Sequence, residues 1–194
     1  MSSTVAEREE VVRIAKSVLA GEDGIELPTE MVEEKPETPA DGPSAVAETA
    51  KLSIYAQIKA LNVPQRVKLA MKGNRETRQI LLRDTNRLIP RMVLLNPRLT
   101  EDEVLLIAKD RNSDVEILRS IGDNRDWVAH YGIRAALTEN AKTPVALALR
   151  LLKTLQEREV RILAKSKNVA SAVASQARRM LFRKQQGNRP SGGH

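Results

Sequence analysis

Two asparagines at one spacing, matched by two more at the same spacing, constrain this chain more than any other feature. Asn96-Pro97-Arg98-Leu99-Thr100 is echoed by Asn140-Ala141-Lys142-Thr143-Pro144, and the two starts lie 44 residues apart. Inside each copy a short apolar segment ends on a further asparagine. Ile117-Leu118-Arg119-Ser120-Ile121-Gly122-Asp123-Asn124 does so in the first, Arg161-Ile162-Leu163-Ala164-Lys165-Ser166-Lys167-Asn168 in the second, and these asparagines are again 44 apart. The residues between them carry helical periodicity. A tandem pattern of this length built from helical segments predicts an all-α chain, a right-handed solenoid of about ten short helices in which each repeat buries the apolar stripe of its neighbour.

Boundary signals divide the pattern further. Thr100-Glu101-Asp102-Glu103 and Ser113-Asp114-Val115-Glu116 both fit a capping box, in which a hydroxyl satisfies one orphan amide and a carboxylate three residues on satisfies another. Thr143-Pro144 predicts a cap followed by proline at the first helical position. Val145, Ala148, Leu149, Leu152 and Leu155 form one apolar stripe. Val169, Val173, Ala177, Met180 and Leu181 form another, which leaves Arg178, Arg179, Arg183 and Lys184 on a basic face. A third, less regular copy precedes these. It contains Leu52, Ile54, Tyr55, Ile58 and Leu61, a break at Asn62-Val63-Pro64, a segment ending at Gly73-Asn74, and a restart near Asn86 with Pro90 in its first turn. The repeat domain is expected over residues 49–184, followed by a disordered tail over 185–194.

Ahead of it lies a different composition. Val5, Val12, Ala15, Val18 and Leu19 share one face of a short amphipathic helix within residues 1–20, which Gly21 ends. Residues 21–48 are rich in Glu, Pro, Thr, Asp and Gly and are expected to form a disordered acidic linker. The helix is then a tethered docking element, or it folds back on its own solenoid.

The units Val93-Leu94-Leu95-Asn96-Pro97-Arg98-Leu99-Thr100 and Ala136-Leu137-Thr138-Glu139-Asn140-Ala141-Lys142-Thr143-Pro144 resemble leucine-rich repeat variant units and, more broadly, HEAT-like helical repeats. In those units a helix runs into Asn-Pro-x-x-Thr-Pro and a short helix follows. Asn96 has its following proline but lacks the second, and Asn140 has the second but lacks the first. The resemblance covers roughly residues 52–184 and implies a superhelix used for macromolecular contacts, with no reaction attached.

Composition narrows the functional classes. Aromatic residues make up 2% of the chain, with one Trp and one Phe, so the core rests on Leu, Ile, Val and Ala, which suits closely packed helices. There is no Cys, which excludes a disulfide framework, a thiolate metal site and a cysteine nucleophile. No phosphate-cradling glycine loop, nucleophile elbow or zinc-protease helix is present. His130 lies four residues after Asp126, a spacing that suits a surface ion pair, and two ligands do not make a metal site. Trp127 is expected as an anchor in the helix stack. No cofactor and no catalytic activity are expected. With no apolar leader and no membrane-length run, the chain reads as cytoplasmic.

Charge leaves two binding modes open. Residues 1–50 hold 12 acidic and 4 basic side chains, net −8, whereas residues 51–194 hold 13 acidic and 28 basic, net +15. The first mode is a protein-interaction scaffold with the N-terminal helix as a second contact. The second is a nucleic-acid surface made by Arg75, Arg78, Arg83, Arg87, Arg91, Arg178, Arg179, Arg183 and Lys184, over which the acidic segment lies when no polyanion is bound. The first is favoured, because basic charge alone is a weak signal. Where those arginines sit decides between the two.

Overall fold

In the computed structural model residues 45–187 are short helices joined by short connections, several of the helices opened by a capping side chain. Residues 13–18, 20–21, 24–34 and 45–187 are described, the side chains of 45–52 and of 187 excepted. Val5, Val12 and Leu19 lie outside the described residues. Eleven α-helices from Ala45 onward, one 3-10 turn and the helical residues 13–18, with no strand, are the regular elements of the described residues. They fall into two compact units, residues 1–99 and 100–194. The single domain expected over 49–184 is thus divided at Leu99 and Thr100, between the turn that Asn96 fixes and the cap that Thr100 opens.

The first unit contains a 3-10 turn, Thr29–Met31, and the helices α1 (Ala45–Ala60), α2 (Val63–Lys72), α3 (Arg75–Leu81) and α4 (Leu88–Val93). Pro64 sits in the first turn of α2, where its missing N–H costs nothing, and Asn62 forms a full capping box with Gln65. α2 packs on α3 and α4, and α1 on α3. One core joins Ile54, Ile58, Val67, Leu69, Ala70, Met71, Leu81, Ile89 and Val93. α1 starts at Ala45, earlier than the expected boundary at 49, because its alanine-rich opening is a strong helix former.

Two sequence readings are decided in this unit: for Ala15 and Val18 the fold-back placement holds and the docking face does not, and the disordered linker fails over residues 24–34. Residues 13–18 are helical and end at Gly21, whose φ of 75° only glycine adopts without strain, but Ala15 and Val18 are buried in the unit's own core. They are core residues and not part of a free docking face. Residues 24–34 are likewise no disordered linker. Met31 is 1% exposed in the same core, with Leu27 and Val32 packed against it.

The second unit contains α5 (Glu101–Lys109), α6 (Val115–Asp123), α7 (Arg125–Ala129), α8 (Tyr131–Glu139), α9 (Val145–Leu152), α10 (Glu157–Lys165) and α11 (Ser171–Gly187). Its most extensive packing runs from α5 to α8, α8 to α9, α9 to α11 and α11 to α10. Ala148, Leu152, Val160, Leu163, Ala164, Val173 and Ala177 form one core cluster. Gly122 of α6 admits the side chain of Leu147 where a Cβ would overlap it. Val145 departs from its predicted stripe and is exposed, while Leu147 and Leu151 are buried instead, because α9 presents a different face to α8 and α11.

Capping was partly legible. Thr100 and Glu103 form the expected box: Thr100 N–H and Oγ1 each donate to Glu103 Oε2 at 3.1 Å, and Glu103 is 3% exposed. Ser113 does not cap α6. Its hydroxyl donates to Ile107 O at 2.7 Å, and Asp114 is the cap, accepting from Glu116 N–H at 2.8 Å. Pro144 occupies the cap position of α9, and the buried Thr143 hydroxyl has no hydrogen-bond partner. α11 continues to Gly187, past the tail expected from 185, since Lys184-Gln185-Gln186 favours helix; residues 188–194 lie outside the described residues.

Candidate interaction surface

The recurring asparagine is the device that holds these helices in register. The Asn96 carboxamide donates to Ala70 O at 3.0 Å and Gly73 O at 3.1 Å, carbonyls at the end of α2, while its oxygen accepts from Arg98 N–H at 2.9 Å. Asn140 repeats the arrangement on α5, donating to Ala108 O at 2.9 Å and Asp110 O at 3.0 Å and accepting from Lys142 N–H at 3.0 Å. Both are buried, at 4% and 6% exposure. A helix end leaves its last carbonyls without intrahelical donors, and one carboxamide satisfies two of them while fixing the following turn. The second pair at the same spacing does not follow suit. Asn124 caps α7, accepting from Asp126 and Trp127 N–H, and Asn168 is exposed.

Asn74, 22 residues before Asn96, belongs to the same set. It is 3% exposed and donates to Glu30 O at 2.8 Å and Glu33 O at 3.0 Å, while its oxygen accepts from Thr77 N–H to cap α3. Its backbone N–H and the Thr77 hydroxyl both donate to Met31 O. The 3-10 turn of residues 29–31 therefore stands where a helix end stands for Asn96 and Asn140. Residues 24–34 close the first unit as a terminal cap.

This cap takes up part of the expected basic face. Arg78, 1% exposed as a residue, is a core group: its guanidinium donates to Glu34 Oε1 at 2.7 Å and Gly73 O at 3.0 Å. Arg75 is half-buried and its backbone N–H donates to Glu34 Oε2 at 3.1 Å. Arg98 donates to Val32 O at 2.7 Å, and the Lys68 ammonium donates to Ile25 O. Burial alone would raise the Glu34 carboxyl. The hydrogen bonds from Arg78 and Arg75, with the charges of Arg78 and Arg98, hold it below the ordinary carboxylate value. Arg83 and Arg87 are exposed and Arg91 is half-buried. Between the first two, Asp84 pairs with Arg66 through both carboxylate oxygens, at 2.9 and 2.7 Å, and also accepts from Asn86 N–H at 2.8 Å.

In the second unit Arg178, Arg179, Arg183 and Lys184 are all exposed along α11. Two of them fasten the helix to α10. Arg178 donates to Ala164 O at 2.9 Å and to Ser175 Oγ at 3.2 Å, and Lys184 pairs with Glu157. Arg179 and Arg183 make no ion pair among the described residues. Glu157 also takes Arg161, and the hydrogen bonds from Lys184 and Arg161 lower its carboxyl. The arginines expected to form one basic face thus lie on two separate units, and Arg78 leaves the set because it is buried.

His130 does not pair with Asp126. α7 ends at Ala129 and His130 starts α8, so the two do not share one helix; His130 Nδ1 lies 2.7 Å from Glu101 Oε2 instead. Trp127 is half-buried on α7, the one five-residue helix. The described residues include no group of three His, Asp or Glu placed to hold a metal ion. No helix among them is long and apolar enough to cross a membrane. Leu106, Ile162 and Phe182 are large apolar side chains that point to solvent in the second unit, at 55%, 54% and 61% exposure. Comparison with family models, with curated proteins and with solved structures finds no match to this chain.

Proposed function

We propose that this protein is a non-catalytic scaffold whose helical-repeat surface holds another protein, its short helices stacked as a solenoid. The observation that carries the reading is the use made of buried polar groups. Asn74, Asn96, Asn140, Glu103 and Arg78 all bond backbone groups of the chain itself, and Glu103 and Arg78 also engage Thr100 and Glu34, so these side chains fix the frame. Outward, the second unit presents apolar and basic side chains on rigid helices, the composition that protein interfaces favour. The N-terminal helix is not part of this reading, because Ala15 and Val18 are core residues. A nucleic-acid surface is weakened by the burial of Arg78 and by the engagement of Arg98 and Lys68 with the backbone of residues 24–34.

The test is site-specific photo-crosslinking in cells from Leu106, Ile162 and Arg83 of the full chain, followed by digestion of the adducts. The scaffold reading expects discrete adducts from the second unit that proteases destroy and nucleases leave intact. Adducts cleared by nuclease, or salt-sensitive binding to duplex DNA or structured RNA at physiological ionic strength, would overturn it.

A further inference from the structure

We infer that the outward face of α11 docks an acidic segment of a partner protein, with Phe182 as the apolar anchor and Arg179 and Arg183 as the pairing charges. This deepens the scaffold reading and rests on it. α11 packs on α9 and α10 through Val173, Ala174 and Ala177, which are buried, with Met180 and Leu181 half-buried beside them. At about 100° per residue, Phe182 lies roughly 140° around the helix from Ala177, away from that contact. It is the only Phe of the chain and, at 61%, the most exposed of the large apolar side chains among the described residues. Arg178 and Lys184 are occupied by Ala164 O and Glu157, whereas Arg179 and Arg183, one turn apart, have no counter-charge among the described residues. The helix itself contains no acidic residue.

The scale of the patch selects the partner. One ring and two guanidinium groups suit a short peptide: aromatic and Arg side chains are the usual anchors of protein interfaces, and Arg pairs a carboxylate through two parallel hydrogen bonds. A bilayer needs a wider apolar face than a single ring supplies. Two phosphate contacts and one stacking ring give a nucleic acid little hold. Charge complementarity therefore points to carboxylates spaced about one helical turn apart beside an apolar side chain.

The experiment is selection from a displayed random peptide library against the full chain, followed by titration of the selected peptides. The expected result is enrichment of Asp and Glu next to an apolar residue. Phe182→Ala should weaken binding at least about tenfold, and so should the double reversal Arg179→Glu with Arg183→Glu; peptides with the acids replaced by Lys should regain binding to the reversed protein. Both variants alter exposed groups, and an unchanged melting curve shows that the fold is intact. Selected peptides without acidic residues, or equal binding to the Phe182→Ala protein, would overturn the inference. So would Phe182-dependent binding to phosphatidylserine vesicles or duplex RNA in place of peptide. Should α11 fail while crosslinks from Leu106 and Ile162 still capture protein, the docking site is wrong and the scaffold stands; loss of both removes the scaffold reading as well.

Discussion

In the first unit each of two ion pairs among the described residues draws at least one of its charged side chains into the fold. The Arg78 side chain is 2% exposed against Glu34, and Arg66 and Asp84 are 19% and 7% exposed against each other. In the second unit the pairs lie nearer the surface, with Arg150 and Asp123 at 60% and 61% and Arg119 and Glu116 at 55% and 46%. Water screens the second set, and such pairs add little to stability. The first set is another matter, because removing one partner leaves a charge with few other acceptors. The ion pairs of the first unit are therefore more deeply set than those of the second, where the charged groups that hold the fold, Glu103 and Arg178, bond backbone groups instead. A count of basic side chains measured neither, since it could not say which charges were already committed to the fold.

The contrast is tested most severely by removing residues 1–48. A chain that starts at Thr49 loses Ala15, Val18 and Met31 from the core, uncovers the Asn74 carboxamide and leaves Arg78 without Glu34. At about 1.5–3 kcal/mol for each larger buried side chain, with the polar losses added, the total approaches the whole stability of a small unit. Hydrogen exchange should show α2, α3 and α4 losing protection while α8, α9 and α10 keep theirs. Unchanged protection in α2 would mean that the terminal cap is dispensable.

The next effect in size distinguishes the asparagines. Asn140→Ala strips donors from the Ala108 and Asp110 carbonyls and an acceptor from the Lys142 amide, a loss of about 2–4 kcal/mol. Asn168→Ala, its counterpart in the second matched pair, changes an exposed side chain and should stay within about 0.5 kcal/mol. Thermal unfolding of the two variants side by side checks this, and equal losses would contradict the assignment of Asn140 as the structural member.

Glu34→Gln should cost less, about 1–2 kcal/mol, because the Glu34 side chain is 40% exposed and solvent reaches the pair. Its pH dependence has a definite sign. Because the folded carboxyl is held below the ordinary carboxylate value, the stabilisation is complete above that ordinary value and is lost as pH falls below it through the lowered folded pKa. Denaturant midpoints of the wild type and Glu34→Gln should therefore converge in acid; a gap that stays constant down to the acid limit would rule out the ion pair as the cause. Smallest of all is Glu157→Gln. It removes exposed pairs with Arg161 and Lys184, and the melting curve should not move measurably.

Much of this was legible residue by residue. Asn96 and Asn140 announced themselves because each stands in a recognisable turn sequence after a helix. Asn74 does the same work 22 residues earlier, half the 44-residue spacing, and Thr77 stands three residues on as Thr143 does after Asn140, but the segment has no proline and its copy is less regular. Residues 24–34 read as a linker because they are poor in apolar side chains. Met31 anchors them in the core, and the backbone carbonyls of Ile25, Glu30, Met31, Val32 and Glu33 accept hydrogen bonds that composition does not record. Arg78 looked like surface charge because its partner lies 44 positions away.

The sequence by itself determined that the described residues are helical without strands, that Thr100 and Glu103 start a helix with a capping box, and that asparagines recur as helix-end residues. Those are local properties: helical period, cap chemistry and turn residues act over a few positions, so the order of residues specifies them directly. Only the tertiary structure decided that Ala15, Val18 and Met31 belong to the core of the first unit, that Arg78 is buried, and that Phe182 faces outward on α11 beside the arginines expected there. Burial and pairing depend on which segments meet across long separations. A side chain that is polar in isolation becomes structural only when a distant carbonyl or carboxylate is brought to it.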